Sequence, residues 1–336
     1  MAVVRLSDVI VPEVFNGYIS TRTTTKSAIF TSGILRSDPQ LASNLAGGGR
    51  LFQVPFWNDL DNTDPNISND DPTSSATPLK HSASKDQAVR HNRNQAWSDA
   101  DLVRELAGSD PMVDIGNKVA DYWMRAYQRH LVSLMRGVFA DNIANDSSDM
   151  VNDIGTDDAA AATDGELISA EAVIDTKQTM GDAATALRVM IMHSVPYARL
   201  QKQNLIDFIP DSSGQIHFPT YLGYNLVIDD GCPAIAGTNR IKYWTFLLSQ
   251  GCIGWAEKPP AVPVEVERAP EKGGGGGVEE LWTRKQYAMH PFGIKWTDAS
   301  CAGQSPTNTE LLDATNWDRV YPERKQIGMS LLITNG

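Results

Sequence analysis

The sequence predicts a mixed α/β or α+β fold, strands and helices packed in layers, and three observations carry that prediction. Apolar residues recur at three- and four-residue steps from Ile115 to Val138, the period of a long helix. Short apolar runs at 51–57, 187–193 and 243–248 have the length and composition of strands. Five consecutive glycines, Gly273–Gly277, separate two more strand-like segments, as a flexible hairpin tip does. The chain of 336 residues is long enough for two or three structural units, at about 100–200 residues each.

The elements follow in chain order. Pro12, Gly17, Gly33, Pro39 and Gly47-Gly48-Gly49 punctuate the first fifty residues, so Val9–Ile19 predicts one short element in an arm that lies across a neighbour. Leu51–Trp57 predicts a strand and Ser82–Ala96 its return strand, joined by the polar stretch Asn58–Pro78 as a long hairpin-like excursion. Ser98 with Asp101 resembles a capping box and predicts a short helix to Leu106, broken at Gly108. Asp110 and Pro111 then supply the cap and first position of a helix reaching about Asp141, roughly 45 Å long at 1.5 Å per residue.

Residues 169–181 predict a helix with Ala170, Val173, Ile174 and Met180 inward. Leu187–His193 predicts a buried strand, Tyr197–Phe208 an amphipathic helix, and Gly223–Asp230 and Tyr243–Leu248 two strands. Val262–Arg268 alternates as a half-exposed strand, the glycines form a tip, and Val278–Met289 returns. A helix near Glu310–Ala314 and a strand over Gly328–Thr334 close the chain.

Composition narrows the function classes. The chain carries 29 Lys+Arg against 41 Asp+Glu, a formal net charge of −12, which disfavours tight nucleic-acid binding by the whole surface. Eleven acidic residues against the single Lys177 concentrate in 141–182. Cys232, Cys252 and Cys301 form no CxxC pair, so reduced thiols and no disulfide framework are expected. No signal-peptide layout stands at the N-terminus, and no apolar run approaches the roughly 20 residues that cross a bilayer.

No catalytic constellation emerges. GxSxG, the Walker A loop and HExxH are absent, and Val278 occupies the place where GxGxxG needs its last glycine. The histidines at 81, 91, 130, 193, 217 and 290 are scattered, none at ligand spacing from another. Asp59, Asp61 and Asp70 with Thr63 echo a calcium loop. Asp64 stands where that loop needs Gly, and strands flank it, so no metal or other cofactor is expected. Residues 80–93 hold Lys80, Lys85, Arg90 and Arg93 with His81 and His91 against Asp86. Three readings stay open for this strand: docking on an acidic partner surface, a solvated face, and a small nucleic-acid patch.

Several phrases resemble the major capsid proteins of tailed bacteriophages, with the Hong Kong 97-type fold. They are Leu106-Ala107-Gly108-Ser109-Asp110-Pro111-Met112, Gly137-Val138-Phe139-Ala140 and Met190-Ile191-Met192-His193-Ser194-Val195-Pro196-Tyr197 with Leu200 and Leu205-Ile206. Tyr221-x-Gly223 with Val227-Ile228-Asp229-Asp230, His290-Pro291-Phe292-Gly293-x-Lys295-Trp296, and Asn316-Trp317 before Arg324-Lys325-Gln326-Ile327 follow in order. The resemblance covers about residues 100–335; the first hundred match by layout.

The resemblance implies an α+β fold with an N-terminal arm (1–48), an extended loop (49–97) and a peripheral domain built on a long spine helix (98–165). It further implies an axial domain (166–256), a peripheral hairpin (257–300) and a C-terminal segment (301–336). It implies a structural subunit, not an enzyme, that forms hexamers and pentamers of an icosahedral virion shell around double-stranded DNA, assembled in the bacterial cytoplasm. Partners implied are the chain itself, a separate scaffolding protein (no long charged helix precedes the arm), a portal protein, room for a decoration protein, and DNA held without sequence specificity. Phe52, Phe56, Trp57, Lys80, Lys85, Arg90 and Arg93 are the expected inter-subunit contacts, and no membrane is involved. Two other readings are a nanocompartment shell of the same fold enclosing cargo protein, and a calcium-binding α/β enzyme.

Overall fold

The computed structural model describes residues 28–60, 63–68, 70–73, 75–103, 111–203, 206–210 and 216–336. The expected element at Val9–Ile19, the break at Gly108 and the Asp110 cap lie outside these. β1 (Leu35–Ser37) leads into α1 (Pro39–Gly47), which Asp38 caps by accepting a hydrogen bond from the Gln40 amide at 2.9 Å. Ile29, Ile34, Leu41 and Leu45 are fully buried, so 28–48 packs on the body of its own chain.

β2 (Leu51–Trp57) and β3 (Ala83–Val89) pair antiparallel as a two-stranded ribbon, and β4 (His91–Ala100) follows. The single return strand expected over Ser82–Ala96 is thus broken at Arg90, and its halves join different sheets. The buried positions switch parity there, from Asp86 and Ala88 to Val89, His91 and Asp99. Ser98 is the cross-strand partner of Glu280 inside β4, so the helix expected to start there is corrected; helical geometry begins at 101. Strand pairing overrides the local capping signal.

α2 (Pro111–Asn145) is the long helix, 35 residues and about 52 Å, with Trp123, Tyr127, Leu131, Leu134 and Val138 on its buried face. β5 (Val151–Asp153) precedes α3 (Ala170–Gln178), capped by Ser169, whose hydroxyl accepts from the Ala172 amide at 3.2 Å. Val173 and Met180 are buried as expected, but Ile174 is 53% exposed. The inner position belongs to Thr176, which donates to the Ala172 carbonyl at 2.7 Å and accepts from Asn152 at 3.1 Å.

β6 (Leu187–Met192) runs into α4 (Ser194–Lys202), where the His193 ring accepts from the Val195 amide at 3.2 Å. This cap starts the helix earlier than expected. Its predicted C-terminal end is instead β7 (Asp207–Pro210), because pairing with β8 (Ile216–Tyr221) claims those residues. β9 (Tyr224–Ile228), β10 (Ala234–Ala236), β11 (Ile241–Ser249) and β12 (Ile253–Lys258) follow. β13 (Val264–Ala269) and β14 (Val278–Pro291) form the glycine-tipped hairpin, with Gly273, Gly274, Gly275 and Gly277 all at positive φ. β13 is exposed on both faces up to Arg268, not on one as its alternation suggested. β15 (Ile294–Trp296), α5 (Asn308–Leu312), β16 (Trp317–Arg319) and β17 (Met329–Thr334) end the chain.

Two principal sheets result. One has the order β1-β12-β14-β13 with β4 along the other edge of β14; the second has the order β5-β17-β11-β6-β9-β8-β7 with β10 on β11. α2 packs between them. Its Tyr127, Leu131, Leu134 and Phe139 share one core with Ile191, Phe246 and Leu331 of the second sheet and with Ile253, Tyr287 and Met289 of the first. The second sheet is buried on both faces: Phe246 and Leu248 face the α2 core, while Leu247, Met190 and Leu332 join Val173 under α3.

Candidate functional site

The β2–β3 ribbon has a fastened base and an open tip. At the base, Phe52 and Ala88 pack with Leu41, Leu45, Ala256 and Ala288. Asp86, nearly fully buried, lies 2.8 Å from His290 Nε2 and also accepts from the Gln87 and Gly293 amides at 2.7 and 3.3 Å. The Gln87 side chain donates to the Trp296 carbonyl at 2.8 Å. These bonds tie the ribbon to the β14–β15 turn. Toward the tip the chain opens into water: Trp57 is 70%, Leu60 74%, Leu79 66% and Ile67 94% exposed. Trp57 stacks on His81 with ring centroids 4.8 Å apart, and Phe56 meets Tyr321 edge-on at 5.1 Å.

The expected basic row does not form one face. Arg90 donates to the Leu45 carbonyl at 2.8 Å and lies over the Phe52 ring, and Arg93 reaches the Pro306 carbonyl and the Asn308 side chain. Phe52, Arg90 and Arg93 are therefore engaged within their own chain; Trp57, Lys80 and Lys85 stand exposed. Sequence reasoning missed Asp86 as a lock and Leu60, Ile67 and Leu79 as exposed apolar side chains. Their signals were an acidic residue alone in a basic strand and apolar residues isolated in a polar stretch.

The calcium-loop echo stays apart from any ligand set. Asp59 and Asp70 are exposed, Asp59 accepting from the Leu60 amide at 2.8 Å, and Asp61 lies outside the described residues. No three His, Cys, Asp or Glu side chains group to hold a metal among the described residues.

The described histidines have structural positions. His91 and His130 are buried in T-shaped contact at 4.2 Å, against Tyr287, at the junction of β4, α2 and β14. Burial, with Arg93 adding to it, pushes His91 down to about 3 and His130 well below its usual range, so both are neutral. His193 caps α4, and its ring nitrogen is engaged by the Val195 amide, with Ser194 Oγ at 3.4 Å. Cys232 and Cys252 are buried, and burial pushes the Cys252 thiol up to about 12, far from nucleophilic use.

The phrases that carried the family resemblance lie at tight packing points. A Cβ on Gly137 would collide with the Leu311 carbonyl, so α2 passes α5 in backbone contact. Trp317 donates to that carbonyl at 2.9 Å and meets Trp296 edge-on. Asn316 donates to the Ser300 hydroxyl and the Glu310 carbonyl at 2.7 and 2.9 Å. Arg324 donates to the Ile327 and Met329 carbonyls and the Ser330 hydroxyl; burial lowers it to about 10.

Five of the eleven acidic residues in 141–182 form ion pairs within the chain. Asp149 pairs with Arg319, Asp153 with Lys242, Asp164 with Arg199, Glu166 with Arg240 and Asp182 with Lys325, at 2.6–3.0 Å. Asp157 accepts from the amides of Thr238, Asn239 and Arg240, which hold it below the usual carboxylate range. Among the described residues no helix is long and apolar enough to cross a membrane.

Known proteins match this layout. The family model of Gp13-like major capsid proteins matches residues 48–328. The chain is 39% identical over 328 residues to the major capsid protein of Bacillus phage SPP1, covering 97% of this chain and 96% of that protein. The cyanophage Pam1 capsid subunit superposes with a TM-score of 0.61 at 10% identity, over 99% of this chain and 98% of that one. The capsid of an empty GTA particle superposes at 0.53 and 14%, over 95% and 100%. The likeness in structure is one of fold, the Hong Kong 97-type α+β fold expected from the sequence. By the family match and the near full-length relative, this chain belongs to the Gp13-like family of phage major capsid proteins.

Proposed function

We propose that this chain is the wall subunit of an icosahedral virion shell, a structural protein that assembles with copies of itself into hexamers and pentamers around double-stranded DNA. The observation that carries the reading is the β2–β3 ribbon. It is fastened at its base by Asp86 and His290, yet it holds Trp57, Leu60, Ile67 and Leu79 in water. Exposed apolar side chains on a projecting arm mark a surface completed by a partner. In this reading Trp57, Lys80 and Lys85, with Phe56 beside them, contact the neighbouring subunit.

The domain reading follows the same layout: arm 1–48, extended loop 49–97, peripheral domain 98–165 with its hairpin 257–300, axial domain 166–256, and C-terminal segment 301–336. The sheet joining β4, β12, β13 and β14 beside α2 supports the peripheral part, and β6–β11 with α3 and α4 support the axial part. A separate scaffolding protein, a portal protein and a decoration protein complete the proposed partners, with assembly in the host cytoplasm.

The test is expression of the full chain, alone and with a phage scaffolding protein, followed by electron microscopy and sedimentation. Shells or capsomers of megadalton mass are expected, and a variant with Trp57, Leu60, Ile67 and Leu79 all changed to Ser gives folded but unassembled chain. A wild-type chain that stays monomeric under both conditions overturns the reading. Particles filled with cargo protein in place of DNA overturn its DNA-enclosing part.

A further inference from the structure

One face of α2 packs against neither sheet. Lys118, Arg125, Arg129 and Arg136 stand seven, four and seven residues apart, which at about 100° per residue aligns them within about 40° of one another. Trp123, Tyr127, Leu134 and Val138, buried in the core, fall on the opposite side. Arg129 is exposed and Arg125 and Arg136 half-buried, and none of the three has an ion pair or hydrogen bond among the described residues. Lys118 is held by Asp114 at 2.7 Å. Three unpaired guanidinium groups thus span about 16 Å of a rigid helix in a chain of net charge −12. Beside Arg125 and Arg129 runs a groove between α2, Asn308 and Gly231, in which Val132 is the one apolar side chain.

We propose that this arginine row is a contact for the phosphate backbone of double-stranded DNA, a role that rests on the capsid reading above. Phosphate fits the row by charge: three guanidinium groups without an ion pair among the described residues share one helix face, and no carboxylate lines the groove beside them. In the acidic segment of a second copy, six of the eleven carboxylates are already engaged at home: Asp149, Asp153, Asp164, Glu166 and Asp182 are ion-paired and Asp157 is held by backbone amides. The chain's own residues 1–27 fit poorly, with Arg5, Arg22 and Lys26 outweighing Asp8 and Glu13. Arginine suits this contact because its planar fork binds phosphate oxygens, and contacts to the backbone carry no sequence information. The row is short and open to water, so each subunit holds the duplex weakly and lets it slide during filling.

The test titrates the full-length chain, and its R125Q/R129Q/R136Q variant, against a fluorescent duplex of about 20 base pairs between about 50 and 200 mM salt. The triple variant is expected to bind at least about tenfold more weakly at low salt, and its slope of log affinity against log salt to shrink by about 2.7. A K80Q/K85Q control keeps both values. Where the triple variant melts early, R129Q alone serves, with an expected loss of about 0.9 in slope. Unchanged duplex binding by the arginine variants, or an equal loss in the lysine control, overturns the proposal. Tighter binding of a poly-glutamate peptide than of the duplex also overturns it and assigns the row to an acidic protein. Shell formation is scored separately by electron microscopy: shells with no arginine-dependent duplex binding refute this contact and leave the capsid reading standing.

Discussion

At its base the β2–β3 ribbon buries Phe52, Ala88 and Asp86 against its own chain, whereas beyond Trp57 the same excursion leaves Leu60, Ile67 and Leu79 in water. The base follows the rule of a protein interior. Apolar groups interlock, and the one buried carboxylate has three hydrogen-bond partners. The tip breaks that rule: among the described residues nothing covers these side chains. On the proposed reading, the difference separates two stores of stability: one fixed when the chain folds, the other realised only when copies meet.

Variants at the two ends test this division. The largest effect is expected at His290→Leu, which leaves Asp86 buried without its ring partner. Taking a hydrogen-bond partner from a buried carboxylate costs about 3 kcal/mol or more, read by chemical denaturation of the unassembled chain. A loss below about 1 kcal/mol removes the claim that the ribbon base is locked. Next comes Gly137→Ala, whose new methyl meets the Leu311 carbonyl; overpacking against backbone costs about 3 kcal/mol, near the top of the usual range. The same substitution at Gly116, where a Cβ meets nothing, stabilises or is neutral.

Acid should act on the body and spare the tip. His91 and His130 are held neutral in the fold, so below about pH 6.5 the unfolded chain binds protons that the folded chain refuses. Stability contributed by their neutrality is present above that pH and is lost as pH falls toward about 3, at up to about 1.4 kcal/mol per histidine per pH unit. Melting curves of His91→Phe are expected to show a shallower decline between pH 6 and 4; an identical slope breaks the assignment. The smallest effect on folding is expected at Ile67→Ser. It should alter chain stability by no more than about 0.5 kcal/mol while lowering shell yield, because its side chain touches water until a partner arrives.

Much of this molecule could be read from its residues. Leu51–Trp57, the long helix from Pro111, the buried strand at 187, the glycine tip and the closing strand all follow from local period and turn chemistry. The errors share one cause. Ser98 carries a capping pattern but lies opposite Glu280, and Asp207 and Phe208 extend a helical pattern but pair with β8. In each case a strand from elsewhere in the chain outcompeted a local preference worth a fraction of a kcal/mol. The candidate contacts divide in the structure: Trp57 and the two lysines are exposed, and Arg90 and Arg93 turn inward to carbonyls of their own chain, since a charge on a strand does not state which carbonyls lie within its reach.

What the sequence determined by itself is the order and period of the elements, because hydrophobic spacing and glycine placement act over a few residues. The tertiary structure alone decided the long-range pairings. Asp86 finds His290, Gly137 lets Leu311 approach, and five carboxylates of the acidic segment find partners up to 170 positions away. Ion pairs and close backbone approaches depend on where a fold brings distant atoms, and no local pattern encodes that distance.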